Sequence, residues 1–370
     1  MSAKRENDNS ASQTALPLAE RSRSQPRLTI YGRLAKMTVM YQAIKLSRRQ
    51  FCASLGGLAL FQALGGCRWL MDKPIAIGAH VWPGYEPLFL ARSEGWLETD
   101  KVQLAETTSA TGSLRALTEG TIDGAALTLD ETLKARGNGL PLSVVMVFNI
   151  SVGADMLVAR PDIKTLAELK GRRIGVEQSA VGELLLTKAL QMAGLSKTEV
   201  EQVPITVDKH LAAWHGKQVD AVISYEPIAS QLLAQDGVKL FDSRQIPNII
   251  VDVLAMRNEV LDSQHADAIR HLIAAHFRAL DHFNRNPQDA AYRMASHLGL
   301  PAAKVLAAYK GLALPDMANN YRLLANPLPE LLDSARLLSD TMVKSELLKQ
   351  NDTLDGLICA DFLPRDFLAI

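Results

Sequence analysis

Ser109-Ala110-Thr111-Gly112 and Ser179-Ala180-Val181-Gly182 are two short stretches of one pattern, and their surroundings repeat with them. Each follows a short apolar run and opens a stretch of helical period, so each reads as a turn from strand into helix. Past the first, Gly120-Thr121-Ile122-Asp123-Gly124-Ala125 leads into another apolar run. Past the second, Gly216-Lys217-Gln218-Val219-Asp220-Ala221 does nearly the same. Those two runs end on acids, Asp130-Glu131 and Glu226-Pro227. The spacing differs between the halves, but the order of pieces is shared. It predicts two lobes of similar α/β topology.

The rest of the chain fits around that pair. From Pro74 onward, short apolar runs alternate with amphipathic stretches, which predicts an α/β fold with largely parallel sheets. Strands are expected at 75–81, 102–107, 124–127, 143–148, 156–159, 173–176, 219–224 and 251–256. Helical stretches follow near 261–284, 287–298, 301–310 and 327–349, with prolines at or near their starts, where a missing N–H costs little. Segments 149–155 and 246–252 read as the two crossings of a hinge. Lobe 1 is then 74–150 plus 257–370, and lobe 2 is 155–250.

Charge separates a leader from this body. Residues 1–50 hold ten Lys/Arg and three Asp/Glu, so they carry +7, and with a net charge of zero the remainder carries −7. A basic leader on an acidic body excludes a nucleic-acid binder, which carries its positive charge on the folded domain. Residues 1–36 read as disordered or as a mis-annotated start, with Met37 and Met40 as alternative starts. Residues 37–66 read as an export signal. Arg48 and Arg49 form a twin-arginine pair, and 51–66 is an uncharged run, shorter than the roughly 20 residues of a membrane span. Leu64-Gly65-Gly66-Cys67 has the form of a lipobox, with Cys67 as the lipidated residue. The mature protein would be exported to the periplasmic or cell-surface side and anchored to a membrane. Only Cys359 would remain as a free thiol, which rules out an internal disulfide and a clustered cysteine metal site.

In open α/β sheets, ligands sit beyond the C-terminal ends of the strands, where helix N-termini present free N–H groups. That rule selects Ser109, Thr111, Gly112 and Ser179 at the two helix starts, although their hydroxyls would equally serve as plain caps. It also selects Trp82 and Tyr85, on the stiff turn after the first strand, as a wall for a flat ligand. Tyr225 and Glu226 close a strand of the other lobe. Asp130, Asp155, Glu177, Gln178 and Asp252 fall at strand ends or crossings. No Lys or Arg occurs in these motifs, so the set is acidic and suits amines, amidines or aminopyrimidines. His265, His271, His276 and His282 lie five and six residues apart, which does not stack imidazoles for a metal. Glycine-rich phosphate loops, His-Glu-x-x-His and Gly-x-Ser-x-Gly are absent. No catalytic residue, cofactor or metal is expected.

WPGYEPLFLARSEGWL (82–97), TLAELKGRRIGVEQSAVGELLL (165–186) and VDAVISYEP (219–227) resemble the nitrate/sulfonate/taurine group of ABC-importer binding proteins. That group includes binders of thiamine-pyrimidine precursors. The resemblance covers residues 74–345 and implies a type II periplasmic-binding-protein fold of two lobes that close on one solute. It implies as partners a small-molecule solute and the ABC permease and ATPase subunits, and it implies binding without catalysis. A ligand sensor on the same scaffold is the alternative. A pyrimidine-related enzyme is a minor one, since such enzymes carry a Cys-rich iron motif that this body lacks.

Overall fold

The computed structural model describes residues 73–325 and 327–365. The leader, with Arg48, Arg49 and Cys67, lies outside the described residues. Among those described, no helix is long and apolar enough to cross a membrane.

Two sheets carry the fold. In the first, β1 (Ile75–Ala79) lies between β2 (Val102–Glu106) and β3 (Gly124–Thr128), all parallel. The connections carry α1 (Glu86–Ser93), α2 (Ala110–Thr118) and α3 (Leu129–Gly137). β4 (Leu142–Ser151) then leads out of this sheet, and β5 (Asp155–Ala159) opens the second. There β6 (Arg173–Val176) lies between β7 (Glu201–Pro204) and β8 (Ala221–Tyr225), again parallel. α4 (Ala180–Ala193), α5 (His210–His215), α6 (Ile228–Leu233) and the edge strand β9 (Val238–Asp242) complete this part. β10 (Val251–Arg257) returns to the first sheet between β3 and β4.

The sheets are mixed, not largely parallel as the alternation suggested. β10 pairs antiparallel with β3, and β5 pairs antiparallel with β8. The cause is the crossings. Each sheet receives one strand directly from the other, and that strand enters from the cleft side, against the parallel trio. Within each trio the strands joined through βαβ units stay parallel.

The repeat in the sequence has a structural counterpart. β1 and β3 align Ile77 with Gly124 and Gly78 with Ala125. β6 and β8 align Ile174 with Ala221 and Gly175 with Val222. Asp123 Oδ2 accepts the Ala76 N–H at 2.7 Å, and Asp220 Oδ2 accepts the Arg173 N–H at 2.9 Å. In both halves the aspartate pins the start of the central strand to its neighbour.

The final helices pack on the first sheet's side of the molecule. α7 (Ala266–Arg285) buries Ile269, Leu272, Ile273, Phe277 and Leu280 along one stripe, and it lies against α1. α8 (Pro287–Leu298), α9 (Ala302–Ala308), β11 (Leu312–Ala313), α10 (Met317–Leu324) and α11 (Glu330–Lys344) follow. The four histidines go separate ways. His265, His271 and His282 sit beside Asp262, Glu98 and Asp289, while His276 is buried against Phe148 and Phe277. Burial lowers the His276 pKa to about 3, so its ring is a neutral core residue. β7, β9 and α10 were not foreseen. β7 is a largely exposed edge strand and β9 a half-exposed one, so neither carries a continuous apolar run. α10 is announced only by its cap, where Asp316 accepts from the Asn319 N–H at 2.8 Å.

Candidate solute-binding cleft

The strand ends of both sheets face one another across a small buried cavity. His80, Trp82, Tyr85, Ala110, Thr128, Glu131 and Asp252 line it from the first sheet's side. Asp155, Val181 and Tyr225 line it from the other. Ala110 and Val181 belong to the first turns of α2 and α4, so the two helix starts do meet there. Its volume is about 20 Å³. That is little more than the roughly 10–15 Å³ one water needs, so in this arrangement it holds nothing much larger than a water.

The aromatic wall is held by a chain of hydrogen bonds. Trp82 Nε1 donates to Asn149 Oδ1 at 3.0 Å, and Asn149 Nδ2 donates to Asp252 Oδ2 at 2.7 Å. The Tyr85 hydroxyl donates to the other oxygen of Asp252. Trp82 meets Tyr225 edge-to-face across the cleft, with ring centroids 5.4 Å apart and planes at 88°. The His80 ring lies 5.3 Å from Tyr85 and 5.8 Å from Tyr225. Burial lowers the His80 pKa to about 4 against the pull of Glu177, so its ring is neutral at pH 7.

Glu177 bridges the lobes. Its Oε1 accepts from the Thr111 N–H at 2.9 Å and from the Thr111 hydroxyl at 2.6 Å. Its Oε2 accepts from the Val207 N–H at 3.3 Å. A carboxylate of one lobe thus caps the helix start of the other, where the helix dipole favours negative charge. Lys134 and Glu183 form a second link between α3 and α4, at 2.8 Å.

The remaining acids are short of partners. Glu131 Oε1, Asp155 Oδ2 and the Tyr225 hydroxyl are buried without a hydrogen bond. Burial raises the pKa of Glu131 to about 8, helped by Asp130 beside it. Burial likewise raises Asp155 to about 7 and Asp130 to about 6. Asp252 is pushed up by burial and by Asp155, against its bonds to Tyr85 and Asn149.

The residues selected from the sequence divide in two. Trp82, Tyr85, Tyr225 and Asp252 line the cavity, and Thr111 with Glu177 joins the lobes beside it. The others turn elsewhere. Ser109 accepts from the Gly112 N–H at 3.3 Å, an ordinary cap. Ser179 makes no capping bond. Glu226 accepts from the Ser230 N–H and hydroxyl of its own helix, at 3.1 and 2.9 Å. Asp130 is buried but does not line the cavity; its neighbour Glu131 does. Asp155, read from the sequence as an acid at a crossing, lines the cavity, whereas His80, Asn149 and Glu131 were missed as site residues. For Glu131 a signal was present. Thr128-Leu129-Asp130-Glu131 has capping-box spacing, which turns the glutamate back onto the strand end. The Thr128 N–H duly donates to Glu131 Oε2 at 3.0 Å.

With this geometry in hand, the chain was compared with known proteins. The family described as NMT1/THI5 like matches residues 82–290, more than half of the sequence. The chain belongs to the NMT1/THI5-like family. A candidate binding protein of Brucella abortus is 27% identical over 165 residues, which is 42% of this chain and 50% of that protein. The match therefore spans half the length of that relative. A candidate aliphatic sulfonates-binding protein of Escherichia coli is 27% identical over 246 residues, 64% of this chain and 76% of its own. Among solved structures, the alkanesulfonate-binding protein SsuA of Xanthomonas axonopodis pv. citri, bound to MOPS, superposes with a TM-score of 0.64 at 20% identity. It covers 80% of this chain and all of its own. The NMT1/THI5-like chain thus has the two-lobed periplasmic-binding-protein fold expected from its sequence. The desulfurization enzyme DszB also has this fold, at a TM-score of 0.55 and 19% identity. Fold alone therefore does not separate binding from catalysis.

Proposed function

We propose that the protein is the exported solute-binding component of an ABC importer, capturing a small molecule between lobe 1 (74–150 and 257–370) and lobe 2 (155–250). The observation that carries this is the cavity itself. Strand ends and helix starts of two separately built sheets converge on it, between the crossings 149–155 and 246–252. Family membership and the binding-protein relatives support the same reading. Trp82, Tyr85, Tyr225 and Asp252 are its contact residues, with Glu177 and Thr111 closing it. The twin-arginine pair Arg48 and Arg49 exports the chain, and a lipid on Cys67 holds it at the membrane beside the permease and ATPase.

Mass spectrometry of the full chain purified from its native membrane tests all of this. A small molecule should co-purify and be recovered chemically unchanged, and Cys67 should carry a diacylglyceryl group. Trp82→Ala should weaken binding of the recovered compound by about 1–3 kcal/mol, the value of one large contact. Recovery of a converted product would make the protein an enzyme. Unchanged affinity in both Trp82→Ala and Tyr225→Ala would remove the cleft as the site.

A further inference from the structure

Resting on that reading, we infer that the cleft selects positively charged nitrogen compounds (protonated amines, amidines or amino-heterocycles) and that Glu177 bars anions from it. The cavity wall carries three acids, Glu131, Asp155 and Asp252. Glu131 is 1% exposed and Asp155 5%, and each carries a carboxylate oxygen with no partner at the cavity wall. The Tyr225 hydroxyl is also unpartnered. No lysine or arginine lines the cavity among the described residues. Carboxylate oxygens removed from water need a donor or a counter-charge; neutral groups without partners, His80 Nδ1 and the Thr128 hydroxyl, lie at the same wall, but no cationic side chain does. The aromatic rings suit the same ligand. Trp82 and Tyr225 stand at 88° to each other, so one presents its edge where the other presents its face. Ring faces attract cations.

At one of the two helix starts the feature that would favour an anion is already used, while the α4 start, which reaches the cavity through Val181, has no side-chain cap. At the start of α2, the Thr111 N–H and hydroxyl go to Glu177 Oε1, and the Gly112 N–H goes to Ser109. A sulfonate or nitrate seeking those donors would have to displace a carboxylate tied to Thr111 and Val207. It would also have to lie beside Glu131, Asp155 and Asp252. Lys134 of α3, which is not part of the cavity lining, is itself bound to Glu183. A protonated amine meets none of these obstacles, and its N–H groups answer the unpartnered oxygens. Burial raises the Glu131 and Asp155 carboxyls to about 8 and about 7, so both are partly protonated near neutral pH, and a cation beside them would favour their ionised forms.

The test is thermal stability of the full chain at pH 7 with two probe sets at matched concentration. The cations are 4-aminopyridine, benzamidine and putrescine; the anions are nitrate and ethanesulfonate. At least one cation should stabilise the protein and bind at least about tenfold more tightly than either anion. Glu131→Gln and Asp155→Asn should each weaken that cation by roughly ten- to a hundredfold. Glu177→Gln should acquire ethanesulfonate binding, a gain of about tenfold or more. Stabilisation by the anions alone overturns the inference and leaves the solute-binding reading standing. No stabilisation by any probe counts against both. A Glu177→Gln protein that folds but gains nothing removes the role given to Glu177. The wild-type comparison needs no variant, so misfolding of a variant leaves it decisive.

Discussion

Ile77-Gly78-Ala79-His80 and Ile174-Gly175-Val176-Glu177 occupy the same place in the two sheets, each at the end of a central parallel strand. The residue just past the strand is a histidine in one lobe and a glutamate in the other. Glu177 reaches across and takes the opposite helix start, while His80 stays neutral among aromatic rings. The shared framework decides where a side chain emerges, and the identity of that side chain decides what crosses the cleft. The helix starts differ in the same way. In α2, Ser109 caps Gly112, whereas in α4 Ser179 caps nothing. A Cβ on Gly112 would meet nothing nearer than Thr107 Cβ at 3.6 Å, while one on Gly182 would lie 2.5 Å from the Glu177 carbonyl oxygen.

The glycines give the largest expected contrast. Gly182→Ala forces the α4 start away from the β6 end and should cost about 1–3 kcal/mol in denaturant unfolding, the usual cost of overpacking. Gly112→Ala should cost nothing, and is expected to stabilise by up to about 1 kcal/mol through helix propensity. Equal effects at the two sites would show that the helix starts pack alike. The aspartates are next. Asp123→Asn and Asp220→Asn should each lose about 1–2 kcal/mol of stability, because each exchanges a charged acceptor for a neutral one at a strand start. Asp220 also pairs with Arg173 at 2.9 Å, but the arginine side chain is 37% exposed. Screening leaves that pair little weight, so the two variants should agree within about 1 kcal/mol. A much larger loss at Asp220 would assign real weight to the ion pair. The serines give the smallest contrast. Ser109→Ala should cost about 0.5–1 kcal/mol for the lost cap, and Ser179→Ala less than about 0.5 kcal/mol. Thermal unfolding of the two variants side by side would reverse the comparison if Ser179→Ala proved the more damaging.

The two-lobed α/β fold was legible because it is written locally. A Ser-Ala-x-Gly turn, a Gly-to-Asp lead-in and an apolar run each lie within one or two elements, and each appears twice. Strand direction was less legible. Nothing inside Val251–Arg257 or Asp155–Ala159 says from which side a strand enters its sheet; the crossings decide that. The candidate site was read only in part, for a related reason. Motif position located Trp82, Tyr85, Tyr225 and Asp252 near strand ends, but not which way an acid turns once there. Glu226 satisfies itself on Ser230, four residues along, and such a local option always competes with a distant one. Asn149 was overlooked because its role as the link between Trp82 and Asp252 joins positions 67 and 103 residues away.

The raised carboxyls change what solute capture means electrically. In the closed arrangement Glu131 titrates at about 8 and Asp155 at about 7, so around neutral pH Glu131 and part of Asp155 hold protons. In water, both would titrate near 4. The closed form without a cation therefore binds more protons than the open one, and closure weakens as pH rises from about 4, losing this contribution altogether above about 8. A cation seated against these oxygens removes that proton demand. If the solute is a cation, capture would be an exchange in which the solute enters and protons leave. The cleft would remain close to electrically neutral at each step, and the heat of binding would vary with the ionisation enthalpy of the buffer.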